Sequence, residues 1–125
     1  MLEKIEKLKK LTILFVDDEL DIIDIISDTL SKLNIDFYVA ADGKTALNIM
    51  NSNNITLLVT DINMFDMDGL ELLRIIRADN NNVDCIIMSA YTEDYYKESA
   101  KKLWVKQYIV KPFDFSEFLD AVNKL

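Results

Sequence analysis

The amino-acid sequence predicts an α/β fold, a doubly wound parallel sheet of five strands with five helices on its two faces. Two observations lead to this prediction. Short apolar runs rich in β-branched residues recur five times, and a segment with apolar residues at helical spacing follows each run. No linker, repeat or low-complexity segment interrupts this alternation. Strand followed by helix, repeated in this way, is typical of a parallel sheet covered on both faces.

The strands are predicted where β-branched and other apolar residues cluster. The first is Thr12–Val16, with the sequence TILFV. The others are 35–40, 55–60, 83–88 and 108–110. Runs of this kind, apolar on both sides, indicate strands buried between two layers of helices.

The helices are predicted from apolar residues three and four positions apart. The first helix has the clearest pattern, at Leu20, Ile23, Ile26, Leu30 and Leu33. The second is marked by Ala46, Leu47, Ile49 and Met50, the third by Leu70, Leu73 and Ile76, and the fourth, less cleanly, by Tyr95, Ser99, Lys102 and Leu103. The fifth covers 115–125.

Capping residues support the predicted helix starts. Asp68 with Glu71, and Asp114 with Glu117, have the spacing of a capping box. For the second and fourth helices the predicted caps are Asp42 and Thr92.

One domain is predicted over residues 11–125, preceded by an extension over residues 1–10. The extension, MLEKIEKLKK, places Leu2, Ile5 and Leu8 on one stripe, so it is either an extra helix or a frayed tail. It lacks the apolar centre of a signal peptide, and no apolar run reaches the ~20 residues of a membrane span. We therefore expect a soluble, cytoplasmic protein that acts through partners or is a piece of a longer chain.

Composition excludes several classes of function. With 14 basic and 22 acidic residues the net charge is −8, which argues against direct nucleic-acid binding and favours metal ions or cationic partners. Histidine is absent, so the usual general base, zinc ligand and phosphohistidine are excluded. The single cysteine, Cys85, lies in an apolar run and is expected to be a buried structural thiol in a reducing compartment.

Polar side chains directly follow four of the predicted strands. Asp17 and Asp18 follow the first, Asp61 the third, Ser89 the fourth and Lys111 the fifth. Ligands of open parallel sheets bind beyond the carboxyl ends of the strands, at the point where the strand order reverses. We therefore expect these side chains to form one site.

The composition of this cluster predicts its chemistry. Clustered carboxylates repel one another unless a divalent cation or a lysine offsets them, and oxygen ligands without His or Cys suit Mg²⁺. Mg²⁺ beside a free carboxylate, a hydroxyl and a lysine favours phosphoryl transfer. Asp61 would be the nucleophile that forms an acyl phosphate, with Ser89 and Lys111 each holding one oxygen of the product.

Four segments in order, ILFVDDE, LLVTDINMFDMDG, IIMSAY and YIVKPF, resemble the receiver domain of two-component response regulators, the chemotaxis regulators included. The resemblance covers nearly the whole chain. It implies a flavodoxin-like sheet of order 2-1-3-4-5, phosphorylation by a histidine kinase or a histidine phosphotransfer protein, and a role as a signalling domain rather than an enzyme. It also implies output through the fourth predicted helix, the fifth strand and the fifth helix.

The resemblance assigns roles residue by residue. Asp61 would accept the phosphoryl group and, with Asp18, ligate Mg²⁺ directly. Asp17 would act through a metal-bound water and Asn63 through its backbone carbonyl. Ser89 matches the switch hydroxyl and Lys111 the phosphate-binding lysine, and the Lys111–Pro112 peptide is usually cis in such domains. Tyr108 matches the aromatic switch position.

Two positions depart from the family pattern. Phe65 stands where a proline is common, and Trp104 stands where a glycine often ends the helix in a left-handed conformation. Two alternative functions are a small Mg²⁺-dependent phosphatase with an aspartate nucleophile, and a binding module that is never phosphorylated. The first lacks a second carboxylate two residues after Asp61, and the complete set of Asp18, Asp61 and Lys111 speaks against the second.

Overall fold

The computed structural model describes residues 2–125, in which five strands alternate with six helices. The elements are α1 (Leu2–Lys9), β1 (Thr12–Val16), α2 (Leu20–Lys32), β2 (Asp36–Ala40), α3 (Gly43–Ser52), β3 (Leu57–Asp61), α4 (Gly69–Ala78), β4 (Asp84–Ser89), α5 (Asp94–Lys102), β5 (Gln107–Val110) and α6 (Phe115–Asn123). The five predicted strands and helices are confirmed. The sixth helix is α1, which forms within the extension; residue 1 of the extension lies outside the described residues.

All five strands are parallel, in the order β2-β1-β3-β4-β5. This is the order that the resemblance to receiver domains implied. The order reverses at β1, because β2 lies on one side of it and β3 on the other. Val16 at the end of β1 is in register with Ala40 and Thr60, so these strands end at the same level.

Each face of the sheet has its own core, because alternate residues of a strand point to opposite faces. Leu14 and Val16 of β1 face α3, α4 and α5, whereas Ile13 and Phe15 face α1, α2 and α6. Cys85 is fully buried in the first of these cores, where burial raises the pKa of its thiol to about 12. The thiol is therefore a packing group, as its apolar setting predicted.

Side-chain caps start three helices as predicted. The carboxylates of Asp42, Asp68 and Asp114 accept hydrogen bonds from backbone N–H groups at the starts of α3, α4 and α6. At α6 the capping box is complete. The prediction for Thr92 was wrong: α5 begins after Glu93, and no side chain caps it.

Three helices end in a left-handed residue that is not glycine. These residues are Asn34, Asn80 and Trp104, with φ of 57°, 59° and 60°. After α5, Trp104 N–H donates to the carbonyl of Lys101 and Val105 N–H to that of Ala100, the hydrogen bonds of a Schellman motif. The helix thus ends as it would with glycine, although a tryptophan occupies the left-handed position.

Helix α1 packs beside α6 at the amino-terminal side of β1. Leu8 is fully buried in the core that includes Phe118 and Val122. Lys4 pairs with Asp120, and Lys7 Nζ donates to the carbonyl of Leu125 at 3.1 Å. Of the helices within 2–125, none is long and apolar enough to cross a membrane.

Candidate functional site

A cavity of about 200 Å³ opens at the carboxyl ends of β1, β3, β4 and β5. It is lined by Asp18, Glu19, Asp61, Asn63, Ser89, Ala90, Tyr91 and Lys111. Strand register accounts for this convergence: Asp61 pairs with Met88, next to Ser89, and Ser89 pairs with Val110, next to Lys111. The structure therefore brings together the residues that the strand ends predicted.

Lys111 lies among three carboxylates. Its Nζ is 2.7 Å from Asp17 Oδ2, 3.1 Å from Asp61 Oδ2 and 3.2 Å from Glu19 Oε1. Burial alone would lower the pKa of Lys111, but the hydrogen bond to Asp17 and the charges of Asp61 and Asp17 outweigh it. The pKa of Lys111 therefore lies above its ordinary value, and the ammonium stays charged.

Asp61 is the last residue of β3 and is almost completely buried. Its Oδ1 accepts a hydrogen bond from Ile62 N–H at 2.8 Å, and its Oδ2 faces Lys111. Burial raises the pKa of Asp61, and the Asp17 charge adds to this effect, while Lys111 partly opposes it. The carboxylate is thus held at both oxygens in a poorly solvated position.

The two acids after β1 have different environments. Asp17 is fully buried, and its Oδ1 accepts a hydrogen bond from Glu19 N–H at 3.0 Å. Asp18 is exposed and lines the cavity. The buried acid is therefore paired with Lys111, whereas the exposed one is free to face an ion in the cavity.

The donor set of the cavity fits a hard cation. Carboxylate oxygens of Asp17, Glu19 and Asp61 lie within 4.8 Å of one another, and Asp18 and Asn63 border the same space. Oxygen ligands with open room for water suit Mg²⁺. Glu19 was not among the predicted ligands, although it is the third acid of the VDDEL segment.

Ser89 is buried and hydrogen-bonded to the loop that follows β4. Its Oγ accepts a hydrogen bond from Tyr91 N–H at 3.0 Å. The hydroxyl of Tyr108 donates to the carbonyl of Tyr91 at 2.5 Å. Ser89 and Tyr108 are thus linked through the backbone of Tyr91.

Gly69, at the start of α4, fixes the backbone beneath Asp61. Its N–H donates to the carbonyl of Ile62 at 2.8 Å, and a Cβ at this position would overlap the carbonyl oxygen of Asp61. Only glycine permits this approach. Gly69 was not among the predicted site residues. The signal for it in the sequence was a glycine placed directly before the apolar helical pattern of α4.

Comparisons with known proteins point to one family. The response regulator receiver domain family matches residues 13–123. The chain is 34% identical over 112 residues to Sporulation initiation phosphotransferase F of Bacillus subtilis, covering 90% of each chain. It is 34% identical to Response regulator ArlR of Staphylococcus saprophyticus, over 90% of this chain but only 51% of that protein.

A solved structure agrees with these sequence relatives. Response regulator protein TrrA of Thermotoga maritima, in complex with Mg²⁺ and BeF, superposes with a TM-score of 0.79 and 31% identity, covering 91% of this chain and 97% of that one. The strand order is that of a receiver domain, and the polar residues at the strand ends line one cavity. The family match over residues 13–123 covers both features. The chain belongs to the response regulator receiver domain family.

Proposed function

We propose that this signalling domain accepts a phosphoryl group on Asp61 from the phosphohistidine of a partner protein, in a Mg²⁺-dependent reaction in the cytoplasm. The observation that carries the proposal is the placement of Lys111 Nζ, 3.1 Å from Asp61 Oδ2. A lysine in that position can hold an oxygen of the product as negative charge moves onto it.

The transfer makes one bond and breaks one. An oxygen of Asp61 attacks phosphorus while the N–P bond of the donor phosphohistidine breaks, and the bonding electrons return to the imidazole. Ile62 N–H and Gly69 hold Asp61 in place for this attack. Lys111 then exchanges part of its carboxylate contact for a phosphoryl oxygen, and the buried Ser89 hydroxyl is the second donor within the cavity.

The metal ligands we propose are the carboxylates of Asp18 and Asp61 and the carbonyl of Asn63, with Asp17 acting through water. Bound Mg²⁺ would offset the negative charge of the carboxylates and of the incoming phosphoryl group. Asp17 also keeps Lys111 in position through their 2.7 Å contact.

The donor protein is proposed to bind an apolar groove beside the site. The groove, of about 510 Å³, lies between α2 and the segment 112–115 and is lined by Ile22, Ile25, Pro112, Phe113 and Phe115. Glu19, Ala90 and Lys111 border both the groove and the site cavity. A partner that brings a phosphohistidine to Asp61 has to cover this shared rim, and Ile25, 67% exposed, offers it an apolar contact.

Ile25→Lys tests the groove. It should slow phosphorylation by the histidine kinases of the source genome, tried as a panel, and leave phosphorylation by acetyl phosphate unchanged. Ile75→Lys is the matched control, because Ile75 is a partly exposed isoleucine of α4 on the opposite face of the sheet. Equal kinase rates for the Ile25→Lys variant and the wild type would contradict donor binding at this groove.

For output we propose the surface formed by α5, β5 and α6. Ser89 turns toward the phosphoryl group, and the ring of Tyr108, which reaches Ser89 through Tyr91, adjusts with it. An output domain or partner protein that contacts this surface would sense the change.

Acetyl phosphate with Mg²⁺ tests the reaction itself. We expect a mass increase of one phosphoryl group that maps to Asp61, is absent in Asp61→Asn and is lost when EDTA removes the metal. Rapid release of phosphate with no adduct would instead indicate a phosphatase. No reaction at all would leave only a binding module.

A further inference from the structure

The loop after β4 is held over the site by contacts that converge on Tyr91. Its N–H donates to Ser89 Oγ at 3.0 Å, and its carbonyl accepts from the hydroxyl of Tyr108 at 2.5 Å. Tyr91 also lines the site cavity. The position of this one residue therefore depends on the two proposed switch residues and, in turn, shapes the entrance above Asp61.

The ring of Tyr91 has a further partner on α5. It stacks on the ring of Tyr96, with centroids 4.7 Å apart and planes 26° apart. The next residue, Lys97, places its ammonium 5.8 Å from the centroid of the Tyr108 ring. Two consecutive residues of α5 thus contact both aromatic residues that connect to Ser89.

Tyr96 is itself supported by its surroundings. It is half-buried against the core that lies under α3, α4 and α5, and Tyr95 packs edge-on against it at 5.2 Å. A stacked ring with this support has fewer orientations than a free one, and it restricts the orientations of its partner. Helix α5 begins without a side-chain cap. The Tyr91–Tyr96 stack connects the first turn of this helix to the loop after β4.

We propose that Tyr96 is a positioning residue for the phosphorylation site. By stacking on Tyr91 it keeps that ring at the mouth of the cavity, where the ring obstructs the water that hydrolyses the acyl phosphate, and it ties the loop to α5. The inference rests on the proposed phosphorylation of Asp61. It assigns to α5 a part in setting the lifetime of the phosphorylated state.

The stack predicts how Ser89 affects α5. When the Ser89 hydroxyl turns toward a phosphoryl oxygen, the N–H of Tyr91 either follows it or loses its acceptor. If the N–H follows, the stacked rings of Tyr91 and Tyr96 transmit the movement to the first turn of α5. An aromatic pair of this kind is worth enough to alter a two-state population by about two- to tenfold.

The experiment measures the first-order hydrolysis of the acyl phosphate in the full chain, after loading with acetyl phosphate and Mg²⁺. Tyr96→Leu should shorten the lifetime by about twofold or more, since the freed Tyr91 ring no longer shields the site. Tyr96→Phe keeps the stacked ring and should retain the wild-type lifetime. Tyr95→Leu removes only the edge-on support of Tyr96 and keeps the Tyr91–Tyr96 stack, so it should shorten the lifetime less than Tyr96→Leu does.

A double-mutant cycle separates positioning from a general loss of structure. Tyr91→Leu should shorten the lifetime by itself, and adding Tyr96→Leu to it should cause no further change. Equal effects of Tyr96→Leu with and without Tyr91 would overturn the proposal. An unchanged lifetime in Tyr91→Leu would also overturn it, even if the Tyr96→Leu variant did not fold.

The outcome also separates this inference from the proposed function. If the wild-type chain acquires no phosphoryl group, the proposed function fails and the inference fails with it. If the wild type is phosphorylated and Tyr96→Leu has the same lifetime, the inference alone is wrong.

Discussion

At the scale of single residues, the two acids that follow β1 differ in their environment. Asp17 is buried and paired with Lys111 at 2.7 Å, whereas Asp18 is exposed at the cavity. A carboxylate already committed to a lysine contributes less to a metal ion than one that faces the open cavity. This difference makes Asp18 the informative position to change.

Asp18→Asn should weaken Mg²⁺ binding by roughly tenfold or more, because ligand charge sets the affinity for a hard cation. Titration calorimetry with MgCl₂ measures the effect, and phosphorylation by acetyl phosphate should slow in parallel. Asp21→Asn, which removes an exposed acid from the first turn of α2, is the control. An unaltered titration in Asp18→Asn would exclude Asp18 as a ligand.

The sequence predicted that most of these residues would cluster, because they directly follow strands. Asp17, Asp61, Ser89 and Lys111 each stand one step beyond or at the end of a β-branched run, so the fold class alone brings them together. The contact of Glu19 with Lys111 depends on a side-chain rotamer. No pattern of spacing could reveal it.

At the scale of secondary-structure elements, the end of α5 has a left-handed backbone conformation that its residue, Trp104, disfavours. Trp104 has φ of 60° and an exposed ring, so the strained backbone gains little from burial of the side chain. A left-handed residue with a Cβ costs about 1–2 kcal/mol relative to a right-handed one. Hydrogen bonds of the Schellman motif and packing of Val105 hold the helix end in place.

Trp104→Gly should therefore exceed Trp104→Ala in free energy of unfolding by about 1 kcal/mol, because glycine removes the strain and alanine does not. Urea unfolding followed by circular dichroism measures the difference. Both variants lack the ring, so its loss cancels in the comparison. Equal stabilities would mean that the backbone at residue 104 carries no strain.

Helix α1 is the element that the sequence left open between an extra helix and a frayed tail. Leu8→Ala should lower the free energy of unfolding by about 2–4 kcal/mol, because the side chain is fully buried. Leu2→Ala, on the same helix but 79% exposed, should change it by less than about 0.5 kcal/mol. If both variants were equally neutral in thermal and urea unfolding, residues 2–9 would behave as a tail.

Element boundaries followed from the sequence where local signals are strong. Three predicted aspartate caps are confirmed, since a capping carboxylate acts within one turn. The predicted cap Thr92 lies one residue before the observed cap position, Glu93, where no side-chain hydrogen bond marks the helix start. The packing of α1 depends on α6, which lies more than a hundred residues away in the sequence. The spacing of apolar residues within α1 does not predict such a long-range contact.

At the scale of the whole molecule, each face of the sheet has its own core and its own helices. Helix α5 packs over one core and α6 over the other, with β5 at the sheet edge between them. In the proposed switch, a change at Ser89 would reach this edge through Tyr91 and then Tyr108 on β5. A differential interaction of about 1–3 kcal/mol would shift two states roughly 5- to 150-fold.

Mg²⁺ with beryllofluoride, a phosphoryl mimic, should therefore change the fluorescence of Trp104, which lies exposed between α5 and β5. Ser89→Ala should abolish the change and leave Mg²⁺ binding intact, because the hydroxyl is the proposed relay and is not a proposed metal ligand. Trp104→Phe identifies the source of the signal. A full response in Ser89→Ala would show that another group is the relay.

The close approach of Gly69 to Asp61 also has a genetic consequence. Any side chain there would displace the backbone of Asp61, the proposed phosphoacceptor, although every charged group of the site would remain. In a saturation mutagenesis screen for signalling, residue 69 should tolerate as few substitutions as residue 61. Such alleles would not be rescued by overproducing the kinase, since the defect lies in where the acceptor sits and not in how often it is offered a phosphoryl group.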